Sequence, residues 1–267
     1  MNFLNYTFMK NALIAILLIS PILAMIGTMV VNNKMAFFSD ALGHSALAGI
    51  AIGLILGISN INVSMIIFAI AFALLLNYIK NKTSYGNDTI ISVFSSIAIA
   101  LGLAILAQSG SFNKYSNYLV GDILSISKSE IKYLAITFVL VLIFWYFMFN
   151  KLNATSINSM LAKSKGINVK LVDNIFSVLI AIIVMISIRW IGILLINSMI
   201  ILPAASSRNI SLNMRQYHTN AILISLFSGI IGLILSFYFS IPTGPMIVIL
   251  QGIVYFITFG IKKLLKI

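Results

Sequence analysis

Long apolar stretches separated by short polar breaks recur along the whole chain. Windows of about 19 residues place them at 8–31, 41–58, 61–79, 89–107, 131–149, 171–188, 191–205, 221–239 and 246–259. A hydrocarbon core about 30 Å thick is crossed by about 20 residues of helix. Without water in that core, each crossing segment must satisfy its own backbone groups, which a helix does. The pattern therefore predicts an all-α, polytopic membrane helix bundle. Nine crossings is the direct count; the seventh stretch is short and carries Pro203, so eight is the alternative.

Composition sharpens this reading. Of 267 residues, 61% are hydrophobic and 8% charged, with a mean hydropathy of +1.10, against roughly 25% charged in an ordinary soluble domain. One transmembrane domain over 1–267, surrounded by membrane lipid, is the expected organisation, with no separate soluble domain. The first stretch is too long for the apolar core of a signal peptide and lacks a small-residue cleavage site, so it reads as a retained helix. A net charge of +12 would suit nucleic acid only if the basic residues gathered on one solvated face. They sit instead in the breaks between apolar stretches, which argues against a nucleic-acid partner.

The breaks also set an orientation, because cytoplasmic loops are enriched in Lys and Arg. With the amino terminus outside, 12 of the 17 basic residues fall on the inside, and the carboxyl terminus is cytoplasmic. The longest polar break, 150–170, then faces the cytoplasm. Within it, 157–165 has the makings of a short helix closed by Gly166 in a left-handed turn. A solvated basic connector and a docking helix both fit that segment.

Chemistry has few carriers here: five acidic residues, two histidines and no cysteine. Thiolate metal sites, disulfides and cysteine nucleophiles are excluded. Asp40 and His44 lie four residues apart at the start of the second stretch, which on a helix puts them on one face. A membrane carboxylate costs about 2.5–3.5 kcal/mol on insertion scales and needs a partner or a wet cavity. Carboxylate oxygen with imidazole nitrogen suits zinc, manganese or iron, and two copies of the pair facing each other would offer four ligands. The alternative is structural, with Asp40 capping the helix and His44 bonded to it. Beside the pair runs a ridge of small residues, Ala41, Ser45, Gly49, Gly53 and Gly57, of the kind that lets membrane helices pack closely.

The remaining polar residues read as structural. Asp122 and Glu130, in an external loop, either meet an extracellular partner or cap the next helix, and capping is the simpler reading; Asn87 and Asp88 read as helix caps, Asp173 lies near a helix start and His218 in a cytoplasmic turn. The twelve methionines are scattered through apolar stretches and read as packing. No lysine follows a glycine, so there is no P-loop for ATP, and the two histidines are too far apart for a zinc-protease pair.

The run Phe37-Phe38-Ser39-Asp40-Ala41-Leu42-Gly43-His44-Ser45-Ala46-Leu47-Ala48-Gly49 resembles the signature of permeases in zinc, manganese and iron uptake ABC transporters. Further likenesses follow in that family's order: Leu119-Val120-Gly121-Asp122, then 192–208 with Ile201-Leu202-Pro203-Ala204-Ala205, then Pro242-Thr243-Gly244-Pro245. Together they reach across nearly the whole chain. Ser39 stands where many relatives carry Gly, and Val120 where Phe is common; neither is a proposed ligand. The resemblance implies a homodimeric permease, related in fold to cobalamin and siderophore importers, in a bacterial inner membrane. It implies two cytoplasmic ATP-binding subunits that carry the ATP, and an extracytoplasmic metal-binding protein that delivers the ion. By the same resemblance Asp40 and His44 correspond to pore-lining metal ligands. Ser159, Lys163, Lys165 and Gly166 fall within 159–170, which the resemblance implies is the coupling region that would meet the ATPase. Two other functions compete: an intramembrane enzyme using Asp40 and His44 as an acid and base, and an ion-coupled secondary carrier. No nucleophile stands beside His44, and no matched halves with broken spans are visible, which weakens both. These ligand types are common to zinc, manganese and iron, so the residues alone do not choose among the three.

Overall fold

The computed structural model describes residues 5–80, 82 and 87–265; Lys266, counted above among the inside charges, and the side chain of Asn87 lie outside the described residues. In chain order the helices are α1 (Thr7–Asn32), α2 (Ala36–Ile55), α3 (Ile61–Lys80), α4 (Asn87–Gln108), α5 (Phe112–Tyr115), α6 (Asn117–Val120), α7 (Lys128–Ile157), α8 (Ser159–Ser164), α9 (Val169–Ile191), α10 (Ile193–Ile210), α11 (Met214–Phe239) and α12 (Thr243–Leu265). A 3₁₀ turn, Ile123–Ser125, precedes α7. Among the described residues nine of these helices are long and apolar enough to cross a membrane, and each matches one expected stretch. The seventh crossing is a full 18 residues, Ile193–Ile210, with Pro203 inside it. Sequence windows place the ends of several helices too far in, because polar terminal turns continue the helix into the interface. α7 in particular carries on to Ile157, so 150–157 is helix and not connector.

The chain divides into two compact units. One comprises residues 34–120 and 151–196, the other 1–33, 121–150 and 197–267. In the first, α2 packs on α3, α4 and α9, and α3 also packs on α9. In the second, α1 packs along α11, and α11 along α12. There Tyr217 donates its Oη to Thr28 O at 3.4 Å and Ser225 its Oγ to Ser20 O at 3.1 Å, stitching α1 to α11.

The small-residue ridge of α2 does what its spacing suggests, over part of its length. A Cβ on Gly49 would stand 2.9 Å from Met65 Cα, and one on Gly53 would stand 2.6 Å from Ser64 Oγ. Ser64 donates that hydroxyl to Gly49 O at 2.7 Å, tying α3 to α2 across the contact. On the far side Gly102 of α4 supplies a contact the ridge argument did not find; a Cβ there would meet Ala48 N and Leu47 C at 2.7 Å. Ser45 is fully buried and bonds Leu42 O in its own helix at 2.8 Å. Gly57 is a correction: it lies past the end of α2 at φ +65° with nothing near its missing side chain. Its role is to turn the chain out of the helix, where an L-residue would be strained.

Gly102→Ala is expected to destabilise the detergent-solubilised chain by about 1–3 kcal/mol, the ordinary cost of overpacking. Gly260→Ala, where no atom lies near the added methyl, is expected to be neutral or slightly stabilising. Thermal melts of the two variants check this, and equal shifts would contradict the close-approach account.

Candidate functional site

Helix α2 begins at Ala36, so Asp40 and His44 lie inside its second and third turns. The cap position is Met35, which offers no side-chain hydrogen bond. The capping role for Asp40 therefore does not hold. Nor is there a hydrogen bond within the pair: His44 Nε2 stands 3.8 Å from Asp40 Oδ2, beyond the reach of a hydrogen bond and within that of an ion pair. Their side chains are 30% and 44% exposed, His44 and Asp40 respectively. The residues flanking them, Ser39, Ala41, Leu42, Gly43, Ser45 and Ala46, are all buried. Phe37, Asp40 and His44 form the open strip, at the i, i+3, i+7 spacing of one helix face.

The neighbours explain why the strip is narrow. Behind it, a Cβ on Gly43 would meet Ile196 Cγ2 at 3.3 Å, at the start of α10. The hydroxyls of Ser39 and Ser45 are turned back to Ala36 O and Leu42 O of their own helix. Among the described residues no group of three His, Cys, Asp or Glu side chains gathers anywhere. A divalent cation placed at the strip would thus take one carboxylate and one imidazole from α2, and its remaining ligands from water or from another chain. Such an open, two-ligand arrangement can accept and release an ion, which a closed four-ligand cage does not readily do.

The second candidate region is the segment after α7. Asn158 accepts Met160 N at 2.9 Å and Leu161 N at 3.1 Å, capping α8. Gly166, at φ +77°, closes it, with Ile167 N donating to Ala162 O at 3.1 Å. This is the short helix and left-handed stop expected from the sequence, starting two residues later. Ala162 faces inward at 1% exposure, whereas Ser159, Lys163 and Lys165 are exposed. Three apolar side chains stand out with them: Ile157, Met160 and Leu161, at 78%, 81% and 60% exposure. An exposed apolar cluster ringed by lysines is the composition of a contact surface. Sequence reasoning weighed the charges here and missed the apolar residues, whose signal was their presence in an otherwise polar break.

The other polar residues are mostly structural. Asp122 accepts Leu124 N at 3.0 Å and caps the 3₁₀ turn. Glu130 accepts Ser127 N at 2.8 Å while its own N–H reaches Ser127 Oγ at 3.3 Å, a reciprocal capping box at the start of α7. Asp88 lies in the first turn of α4. Asp173 sits one turn into α9 with Lys80 as its charged neighbour. His218 is a correction: α11 starts at Met214, which takes His218 out of the turn and buries it at 8% exposure. Its ring packs edge-on against Trp145, Phe149 and Tyr217, and its Nδ1 lies 2.8 Å from Met214 O.

Comparison with known proteins places this architecture. The model of the ABC 3 transport family matches residues 5–262. The chain is 31% identical over 245 residues to the high-affinity zinc uptake system membrane protein ZnuB of Haemophilus influenzae, covering 91% of this chain and 94% of that one. It is 26% identical over 256 residues to the manganese transport system membrane protein MntC of Listeria monocytogenes, covering 96% and 91%. Among solved structures, PsaBC from Streptococcus pneumoniae in complex with Fab superposes with a TM-score of 0.84 at 25% identity, over 95% of this chain and 91% of that chain.

Asn158→Ala is expected to cost α8 about 1 kcal/mol. Amide hydrogen exchange across 159–164 should then quicken about fivefold while α9 is unaffected; unchanged exchange would show that the cap does not hold this helix.

Proposed function

The chain belongs to the ABC 3 transport family, and from that premise we infer that it is the permease subunit of an ATP-driven importer of zinc or manganese. The observation that carries the ion-handling part of this reading is the open strip on α2. A carboxylate and an imidazole are presented together on the one face of that helix left uncovered within its unit. In a membrane-spanning segment such groups are expensive unless wet or paired. A doubly charged cation in a hydrated passage is the partner that both groups share.

Transport follows from the same chemistry. Asp40 Oδ and a ring nitrogen of His44 replace part of the ion's water shell as it passes, and water or a second copy of the pair supplies the rest. Ligation that is incomplete and shared lets the ion leave as well as enter. A homodimer, with the α2 strips of two copies facing one passage, would gather two carboxylates and two imidazoles. Iron(II) accepts the same donors, so the relatives' names favour zinc and manganese and the ligand set does not oppose iron. The chain itself is a transport subunit and not an enzyme. With no P-loop lysine in it, ATP is hydrolysed on a separate cytoplasmic subunit. The contact surface for that subunit is α8, with Ser159, Lys163, Lys165 and the exposed Met160 and Leu161; Gly166 fixes how α8 is joined to α9. An extracytoplasmic binding protein would deliver the ion at the opposite end. The multi-pass chain would lie in the bacterial cell membrane with its carboxyl terminus in the cytoplasm.

Asp40→Ala and His44→Ala are each expected to lower cellular uptake of zinc or manganese at least about tenfold, since even outer-shell partners of a bound metal are worth about 10- to 100-fold. Protein level and association with the ATPase should be unchanged. Uptake at the parent rate in both variants would remove the ligand role. A reporter enzyme joined after the last helix should be active only in the cytoplasm, and activity outside would reverse the orientation.

A further inference from the structure

Two cavities in the unit built around α2 and α3 meet at one residue, Leu75. The first, of about 530 Å³, lies where the cytoplasmic ends of α3 and α9 come together, and is lined by Leu74, Leu75, Tyr78, Lys82, Lys170 and Asn174. The second, of about 210 Å³, runs between α2, α3 and α4 and is lined by apolar side chains throughout, among them Phe68, Phe72, Leu75, Phe94 and Leu101. One is basic and the other is hydrocarbon.

The donors of the first cavity are unusually available. Lys82 holds its Nζ 4.7 Å from the centre of the Tyr78 ring. Among the described residues neither Lys82 nor Lys170 forms an ion pair. Asp173, the acid next to Asn174, has Lys80 as its charged neighbour. Asn174 accepts Asn77 Nδ2 through its Oδ1 at 3.0 Å, which leaves its own amide hydrogens to donate. Two ammonium groups, a phenol and an amide make a set of donors with no competing carboxylate among the described lining residues, which is what a phosphate needs.

From Tyr78 back to Phe68 is ten residues of α3, or about 15 Å of helix. That is half of a hydrocarbon core about 30 Å thick, the depth of one leaflet. Along that length the exposed faces of α3 and α4 are apolar, with Ile97 at 51% and Leu101 at 56% exposure. A soluble acidic protein could neutralise the lysines but has nothing to place in the apolar groove. We propose that the two cavities form one site for an anionic phospholipid of the cytoplasmic leaflet. Its phosphate is held by Lys82, Lys170, Tyr78 and Asn174, and one acyl chain lies along Phe68, Phe72 and Phe94. The site rests on the orientation given above and on no step of ion transport, so the two readings fail separately. Basic residues at this membrane face attract such lipids at about fivefold per lysine.

The test uses the full-length chain purified in mild detergent and presented with phosphatidylglycerol or phosphatidylcholine of the same acyl chains, with retained lipid counted by native mass spectrometry. Phosphatidylglycerol should be retained in preference, and the preference should shrink between 0.1 M and 1 M salt as the charges are screened. Lys82→Gln with Lys170→Gln should cut the preference about 25-fold without changing the melting temperature. Ile97→Trp with Leu101→Trp, which narrows the groove and leaves the charges, should lower retention of both lipids. Glycerol phosphate, which has the headgroup charge and no chain, should not compete at equal concentration. Equal retention of the two lipids, a preference that survives the double glutamine change, or full competition by glycerol phosphate would each overturn the proposal. So would an unchanged lipid preference together with loss of ATPase association, which would assign these lysines to a soluble partner.

Discussion

The closeness of α2 to α3 and α4 is the constraint on which the rest of its unit depends. At Gly49, Gly53 and Gly102 the missing side chain is replaced by a neighbouring helix, with Met65 Cα, Ser64 Oγ and Ala48 N standing where a methyl group would go. Lipid gives membrane helices no hydrophobic reason to associate, so contact distance decides how strongly they hold. With neighbours this close, α2 is largely enclosed as far as Ala51. Before its last turn, the strip of Phe37, Asp40 and His44 is the main part left open.

That enclosure gives the two polar side chains their meaning. A buried carboxylate on α2 would have needed a protein partner, and a lipid-facing one would have been costly in every state of the molecule. Asp40 and His44 are neither buried nor bonded to each other, and the serines beside them are satisfied within their own helix turns. Their lone pairs are therefore available to something outside the unit. In the same unit α8 is fixed by Asn158 at its start and Gly166 at its end, and it packs on α9. α9 in turn packs on both α2 and α3, so packed helices join α8 to the helix that carries the strip.

Much of this was readable in the residue pattern, for physical reasons that also explain what was not. Apolar stretches of bilayer length are a strong signal, and all nine crossings have their counterpart in the structure. Helix ends were weaker, because terminal turns in the interface are polar and resemble loops. For that reason α2 starts at Ala36 and not near Asp40, and His218 belongs to α11 and not to a turn. The pairing of Asp40 with His44 on one face was visible from spacing alone. That the face is open was not, since it depends on which other faces are filled. Gly102 could not be assigned a contact from its own helix, because its partner, the backbone at Ala48, lies more than fifty residues away. Gly57 shows the converse: a perfect four-residue spacing carried the ridge two residues beyond the place where the helix stops.

The central claim is that the α2 strip faces water and not lipid. The chain contains no cysteine, so single thiols can be introduced by Asp40→Cys, by His44→Cys and, on the exposed apolar side of α7, by Val139→Cys. Reaction with a small, charged, water-soluble thiol reagent measures hydration at each position, since only a hydrated thiol ionises and reacts. The account predicts rapid labelling at 40 and 44, and silence at 139. Thiols at 40 and 44 as unreactive as the one at 139 would contradict it.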